Sequence, residues 1–91
     1  MFTFEWDDKK AESNLRKHRI AFDEAVTVFG DKAALTFSDT DHSDNEDRSR
    51  TLGTSSAGRL LVVVHMERHN NVRIISARKA TRYEKSIYEN G

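Results

Sequence analysis

Phe2, Phe4 and Trp6 alternate with Thr3 and Glu5, the period of a strand with one buried face. Asp7 stands where a helix N-cap would, followed by Asp8 in the first turn, where the helix dipole favours negative charge. Ala11, Leu15 and His18 then recur at helical spacing, a thin apolar stripe on a charged segment. A second helix is predicted from Phe22, Ala25, Val26 and Phe29, which fit the i, i+3, i+4, i+7 template. Gly30 sits where a left-handed C-terminal cap would. "KAALTF" is a short strand candidate and "SDTDHSDNED" a polar loop with nothing periodic to bury. "RSRTLGTSS" and "RLLVVVHMER" read as neighbouring strands joined through a turn at Ala57-Gly58. His69-Asn70-Asn71 supplies the next turn, since asparagine tolerates positive φ.

"VRIISAR" is the last strand. It and "LLVVV" are too continuously apolar for a sheet with a wet face, which places both centrally with helices over part of each face. A final helix opens on Thr81-Arg82-Tyr83-Glu84, the spacing of a capping box, with Ala80, Tyr83 and Ile87 as its apolar stripe and Arg82, Lys85 and Glu89 outward. The predicted order is β-α-α-β-β-β-β-α. It describes one α+β domain over residues 1–91, an antiparallel sheet with helices packed mainly on one face.

Composition adds boundaries. A chain of 91 residues with 36% hydrophobic and 33% charged positions is a single small soluble domain. It has no cysteine, which suits a reducing compartment, no apolar run of membrane-spanning length and no signal-peptide pattern, so a cytoplasmic location is expected. The net charge of zero hides an asymmetry. Up to Asp47 six basic residues face twelve acidic ones, and from Arg48 onward nine face three, giving −6 and +6. That distribution points to a polyanion-facing side, or else to halves that neutralise each other in the fold.

Candidate metal sites are poor. "DTDHSD", Asp39 to Asp44, imitates the start of a calcium loop, but Asp44 stands where the turn needs glycine and Arg50 where a bidentate glutamate belongs. His65 and His69 are four apart but fall on a strand and its turn, not on one helix face. No cofactor or metal is expected. The arginines carry more. Arg48, Arg73, Arg78 and Arg82 begin, lie within or follow strands expected to be adjacent, and guanidinium groups bind phosphate bidentately while staying charged. The capped helix leaves the last strand with no slack, which is expected to hold Arg78, Lys79 and Arg82 in a fixed relation to the sheet, as phosphate recognition needs. Strand parity raises an objection: Arg73 and Arg78 are five apart, and an unbroken strand sends them to opposite faces. His65 is either a packed or a titrating histidine. Glu84 has a structural role in the capping box, with base catalysis the alternative. Tyr88 is expected at the core edge with its hydroxyl wet, and Tyr83 in the core.

"FEWDDKKAESNLRKHRIAFDEAVTVF", "DHSDNEDRSRTLGTSSAGRLLVVVHMER" and "VRIISARKATRYEKSIYE" together resemble the BrnT family of bacterial ribonuclease toxins. The paired signatures F-x-W-D-x-x-K…N-x-x-K-H and R-I-I-S-A-R-K-A-T carry the resemblance, which spans nearly the whole chain. It implies a RelE-like fold, metal-independent cleavage of RNA, and neutralisation by an antitoxin with a ribbon-helix-helix domain that binds operator DNA, in a higher-order toxin–antitoxin complex. Three positions depart from the pattern: Arg19 where the family usually has glycine, Ala21 where it often has a capping serine, and Lys85 where an arginine is common.

On this reading RNA supplies its own nucleophile, the 2′-hydroxyl, and the protein aligns it, stabilises charge on phosphorus and moves protons. The expected catalytic residues are Arg48, His65, Arg78 and Tyr88, with Arg73, Lys79 and Arg82 binding RNA. Glu67 and Glu84 are second choices to His65 for the proton, and Tyr88 is a donor or a stacking surface for a base. The rival is a non-catalytic module that uses the basic face to bind RNA or protein, recognisable by salt-dependent RNA affinity without cleavage.

Overall fold

The computed structural model describes residues 3–38 and 48–91. The calcium-like stretch Asp39 to Asp44 lies outside them. The elements are β1 (Thr3–Trp6), α1 (Asp8–His18), α2 (Phe22–Ala25) continuing as a 3₁₀ segment (Val26–Gly30), β2 (Leu35–Ser38), β3 (Arg48–Thr54), β4 (Leu60–Arg68), β5 (Asn71–Lys79) and α3 (Arg82–Asn90). Their order is the one the hydrophobic pattern predicts.

Five strands form one sheet in the order β1-β5-β4-β3-β2. β2 to β5 are the antiparallel part, and β1 joins at the edge in parallel to β5, pairing Phe4 with Val72 and Trp6 with Ile74. Bringing the first strand beside the last requires both N-terminal helices to cross the sheet. They do so over one face, where Ile20, Phe22, Ala25 and Val28 meet Leu61, Val63, Val72, Ile74 and Ala77 in a single core. α1 and α2 pack on β5 and the 3₁₀ segment on β3. Gly53 makes that last approach possible, since a Cβ there would stand 2.8 Å from Val28 Cγ1.

Local chemistry fixes the element ends. The Asp7 carboxylate accepts from the backbone N–H groups of Lys9 at 2.8 Å and Lys10 at 3.3 Å. Arg19 ends α1 in the left-handed region at φ 60°, returning its N–H to the Leu15 carbonyl. A non-glycine residue there costs about 1 kcal/mol. Ala21, at the N-cap of α2, makes no side-chain cap bond. Gly58, at φ +79°, turns β3 into β4, and His69 rather than an asparagine takes the positive φ between β4 and β5. Gly30 is not left-handed; the 3₁₀ segment ends by an Asp31 N–H to Val28 carbonyl bond.

Asn14, buried on α1, is the main polar tie between helix and sheet. Its Nδ2 donates to the carbonyls of Ile20 and Ala77, both at 2.9 Å, and its Oδ1 accepts from the Ala77 N–H at 3.0 Å. Among the described residues no helix is long and apolar enough to cross a membrane.

Candidate active site

The parity objection is resolved inside β5. His65 pairs with Ile74 and Val64 with Ser76, so Ile75 is an extra residue without a partner. This bulge resets the alternation. Arg73, opposite Met66, and Arg78, opposite Val62, therefore share one face, the face away from the core.

The same registers place β3 on that face through alternate residues. Arg48 lies opposite Met66, Arg50 opposite Val64 and Leu52 opposite Val62. Three rows of side chains result: Arg48-Met66-Arg73 with Glu5 beyond, Phe37-Arg50-Val64-Ser76, and Leu35-Leu52-Val62-Arg78. Arg48 and Arg73 are thus separated by one strand, with Cα atoms about 10 Å apart, and successive rows lie about 7 Å apart. Arg50, not among the expected site residues, occupies the middle. The spacing Arg48-x-Arg50 on a strand was the signal for it.

These cations differ in their surroundings. The Arg48 Nε is buried and has no hydrogen-bond partner among the described residues. Arg73 meets the Glu5 carboxylate at 2.7 Å, an exposed pair of the kind that contributes little to stability and yields readily to a competing anion. A hydrogen bond from the Asn71 side chain, and then Arg73, holds the Glu5 carboxyl below its ordinary range. Beside this pair a hollow of about 340 Å³ is lined by Glu5, Met66, Arg68, Asn71 and Arg73. Arg78 is gripped more firmly, its two terminal nitrogens lying 2.7 and 2.8 Å from the two Glu84 oxygens. Arg78 and the capping-box hydrogen bond lower the Glu84 carboxyl to about 2. The capping box is complete, with Thr81 Oγ1 accepting from the Glu84 N–H and Glu84 Oε1 from the Thr81 N–H.

The remaining expected residues lie elsewhere. His65 falls on the core face, fully buried, its ring edge-on to Phe29 and its Nε2 2.7 Å from Thr51 Oγ1. Its Nδ1 is buried without a hydrogen bond, and Glu67 is 3.8 Å away. Burial pushes its pKa down, against a smaller upward effect of Glu67, so the ring is neutral at pH 7. His65 therefore does not meet the arginines. Glu67 and Lys79 occupy positions of the core-side parity near the C-terminal ends of β4 and β5, both exposed, so neither joins Arg78 on the arginine-bearing face. Arg82 stands exposed at the start of α3. Tyr88 uses its hydroxyl structurally, donating to Asp31 Oδ2 at 2.7 Å and accepting from Thr54 Oγ1 at 3.2 Å. Tyr83 is 74% exposed rather than part of the core, because α3 covers only the lip of the arginine-bearing face.

A sheet with its N-terminal helices on one face and four arginines on the other, where α3 covers only the lip, is a construction suited to engaging a polyanionic chain. The family model described as "Ribonuclease toxin, BrnT, of type II toxin-antitoxin system" matches residues 6–84. No curated protein sequence matches the chain significantly. The crystal structure of the Brucella abortus ribonuclease toxin BrnT is similar at a TM-score of 0.71 and 20% identity, over 90% of this chain and 100% of that one. The chain belongs to the BrnT family of ribonuclease toxins, and its α+β fold is shared with the Brucella protein. A type II toxin–antitoxin context implies an RNA substrate and an antitoxin partner.

Proposed function

We propose that the protein cleaves single-stranded RNA without a metal ion, on the sheet face that carries Arg48, Arg50, Arg73 and Arg78. The 2′-oxygen attacks the adjacent phosphorus, the bond from phosphorus to the 5′-oxygen breaks, and a 2′,3′-cyclic phosphate and a 5′-hydroxyl end result. Arg48 and Arg73, flanking Met66, hold the scissile phosphate and offset the charge that builds on its oxygens. Arg78, aimed by Glu84, holds the neighbouring phosphate and fixes the strand's direction. Arg50 lies between them.

The observation that carries this reading is the bulge at Ile75, which brings Arg73 and Arg78 onto the face of Arg48. The protons exchange with water at that face. His65 is in the core, and a carboxyl held near 2 and forked onto an arginine is a weak base at neutral pH. The partner is read as a ribbon-helix-helix antitoxin, which binds operator DNA while the toxin binds RNA; this part rests on the sequence signatures alone.

The test is cleavage of a mapped RNA by purified protein in excess EDTA, with the ends analysed. Cyclic phosphate ends, and no cleavage when the 2′-hydroxyl at the cut is replaced by hydrogen, are expected. Activity abolished by EDTA, or cleavage that survives loss of that hydroxyl, refutes the mechanism. Salt-dependent binding with no cleavage would favour a non-catalytic module instead.

A further inference from the structure

We propose that the groove between α3 and the β2–β3 edge is a subsite for one unpaired nucleobase flanking the scissile phosphate, an inference that rests on the ribonuclease reading above. The groove holds about 360 Å³, the small end of the range for ligand pockets. Leu52, Val62 and Ile87 give it an apolar floor, Phe37 and Tyr83 line it, and Glu84 lies on its rim.

Three observations select a base as its occupant. First, the groove is continuous with the cationic face. Arg50 lines it, Val62 is the cross-strand partner of Arg78, and Glu84 is the residue that grips Arg78. A strand whose phosphates lie along the arginines thus passes the groove mouth. Second, Phe37 and Tyr83 are 43% and 74% exposed on the same hollow. Single exposed aromatics are ordinary, but two around one apolar floor at the edge of an arginine row are the materials of single-strand recognition, in which cations follow the backbone and rings stack bases. Third, Glu84 Oε1 accepts two hydrogen bonds, from Arg78 and the Thr81 N–H, whereas Oε2 accepts one from Arg78. A lone pair is left to receive an N–H from the edge of a base. Tyr88, the stacking surface expected from sequence, has its hydroxyl tied to Asp31 and Thr54; Tyr83 and Phe37 take that role.

The experiment measures binding of a short single-stranded RNA with a mapped cleavage site, blocked by 2′-deoxyribose there, to wild type, Tyr83→Ala, Tyr83→Phe, Phe37→Ala and Arg48→Ala. Each protein is also measured against the same RNA with an abasic nucleotide on either side of the cut. Tyr83→Ala and Phe37→Ala are expected to weaken binding about tenfold, Tyr83→Phe to restore it, and the salt slope to stay at the wild-type value. On the RNA that lacks the flanking base, the alanine variants should bind like wild type. Equal losses on intact and abasic RNA overturn the subsite. So does wild-type RNA affinity in both alanine variants, whether or not they lose affinity for the antitoxin, which would assign the groove to the partner. If Arg48→Ala weakens binding while the aromatic variants do not, only the subsite falls. If wild type itself fails to bind RNA, the ribonuclease reading falls with it.

Discussion

Replacing Glu84 by glutamine separates the charge of this residue from its shape. Glutamine can still close the capping box, so the perturbation removes the negative partner of Arg78 and little else. The structure sets the stability cost. A carboxyl held at about 2 instead of 4.5 would contribute about 3 kcal/mol if taken whole. The Arg78 side chain is 36% exposed, and solvent screening reduces the loss to about 1–2 kcal/mol. The sign of the pH dependence follows from the lowered pKa. The carboxylate's contribution is complete above pH 4.5 and fades as pH falls toward 2. Glu84→Gln should therefore be less stable than wild type near neutrality, and the two should converge in acid.

RNA binding should move the other way. In the wild type Glu84 neutralises Arg78 while that arginine holds its phosphate; in the variant the same contact carries an unshared positive charge, equivalent to about one added cationic contact. On a single strand one added contact steepens the dependence of log K on log salt by about 0.7 and tightens binding roughly fourfold at 0.15 M salt. The assays are urea denaturation between pH 2 and 7, and titration of a cleavage-blocked RNA at several salt concentrations. A variant as stable as wild type at pH 7, or one that binds RNA more weakly, would refute the view that Glu84 restrains and aims Arg78.

Two further changes test the frame around the site. Asn14→Ala leaves the Ala77 N–H and two carbonyls buried without partners, so unfolding in urea should show a loss of about 2–4 kcal/mol; a loss under 0.5 kcal/mol would show that the tie is dispensable. His65→Asn should lower stability by about 1–3 kcal/mol yet leave cleavage per folded molecule within a fewfold of wild type. Because the folded-state pKa of His65 is depressed, wild type should also lose stability as pH falls through 6.5 toward that lower value. The variant should lack this component, and a loss of cleavage out of proportion to folding would return His65 to the chemistry.

What could be read from the residues was local. The alternation of Phe2, Phe4 and Trp6, the Asp7 cap, the Thr81-Glu84 capping box and the apolar runs of β4 and β5 each express a property of a few neighbouring side chains. The features that assemble the site are decisions between strands. Ile75 looks like any strand residue until β4 passes beside it, and only the pairing of Val64 with Ser76 reveals the bulge. Strand parity alone left Arg73 and Arg78 on opposite faces for that reason. His65 could not be assigned from its own strand, because both alternating sets, Leu61-Val63-His65 and Val62-Val64-Met66, begin with two apolar residues. Which set meets α2 is settled by the helices. Tyr83 fits a helical apolar stripe, yet α3 has too little sheet beneath it to bury the ring. Arg50 was legible and overlooked: a strand that places Arg48 on one face places Arg50 there too.

The most direct measurement is the single-turnover cleavage rate of a mapped RNA by Arg48→Ala, Arg73→Ala and Arg78→Ala, each first shown to unfold cooperatively like wild type. If the guanidinium groups of this face stabilise the charged transition state, the arginine nearest the scissile phosphate should account for about a hundredfold or more, and the others for smaller losses. Three folded variants that cut at the wild-type rate would mean that the reaction takes place elsewhere on the molecule.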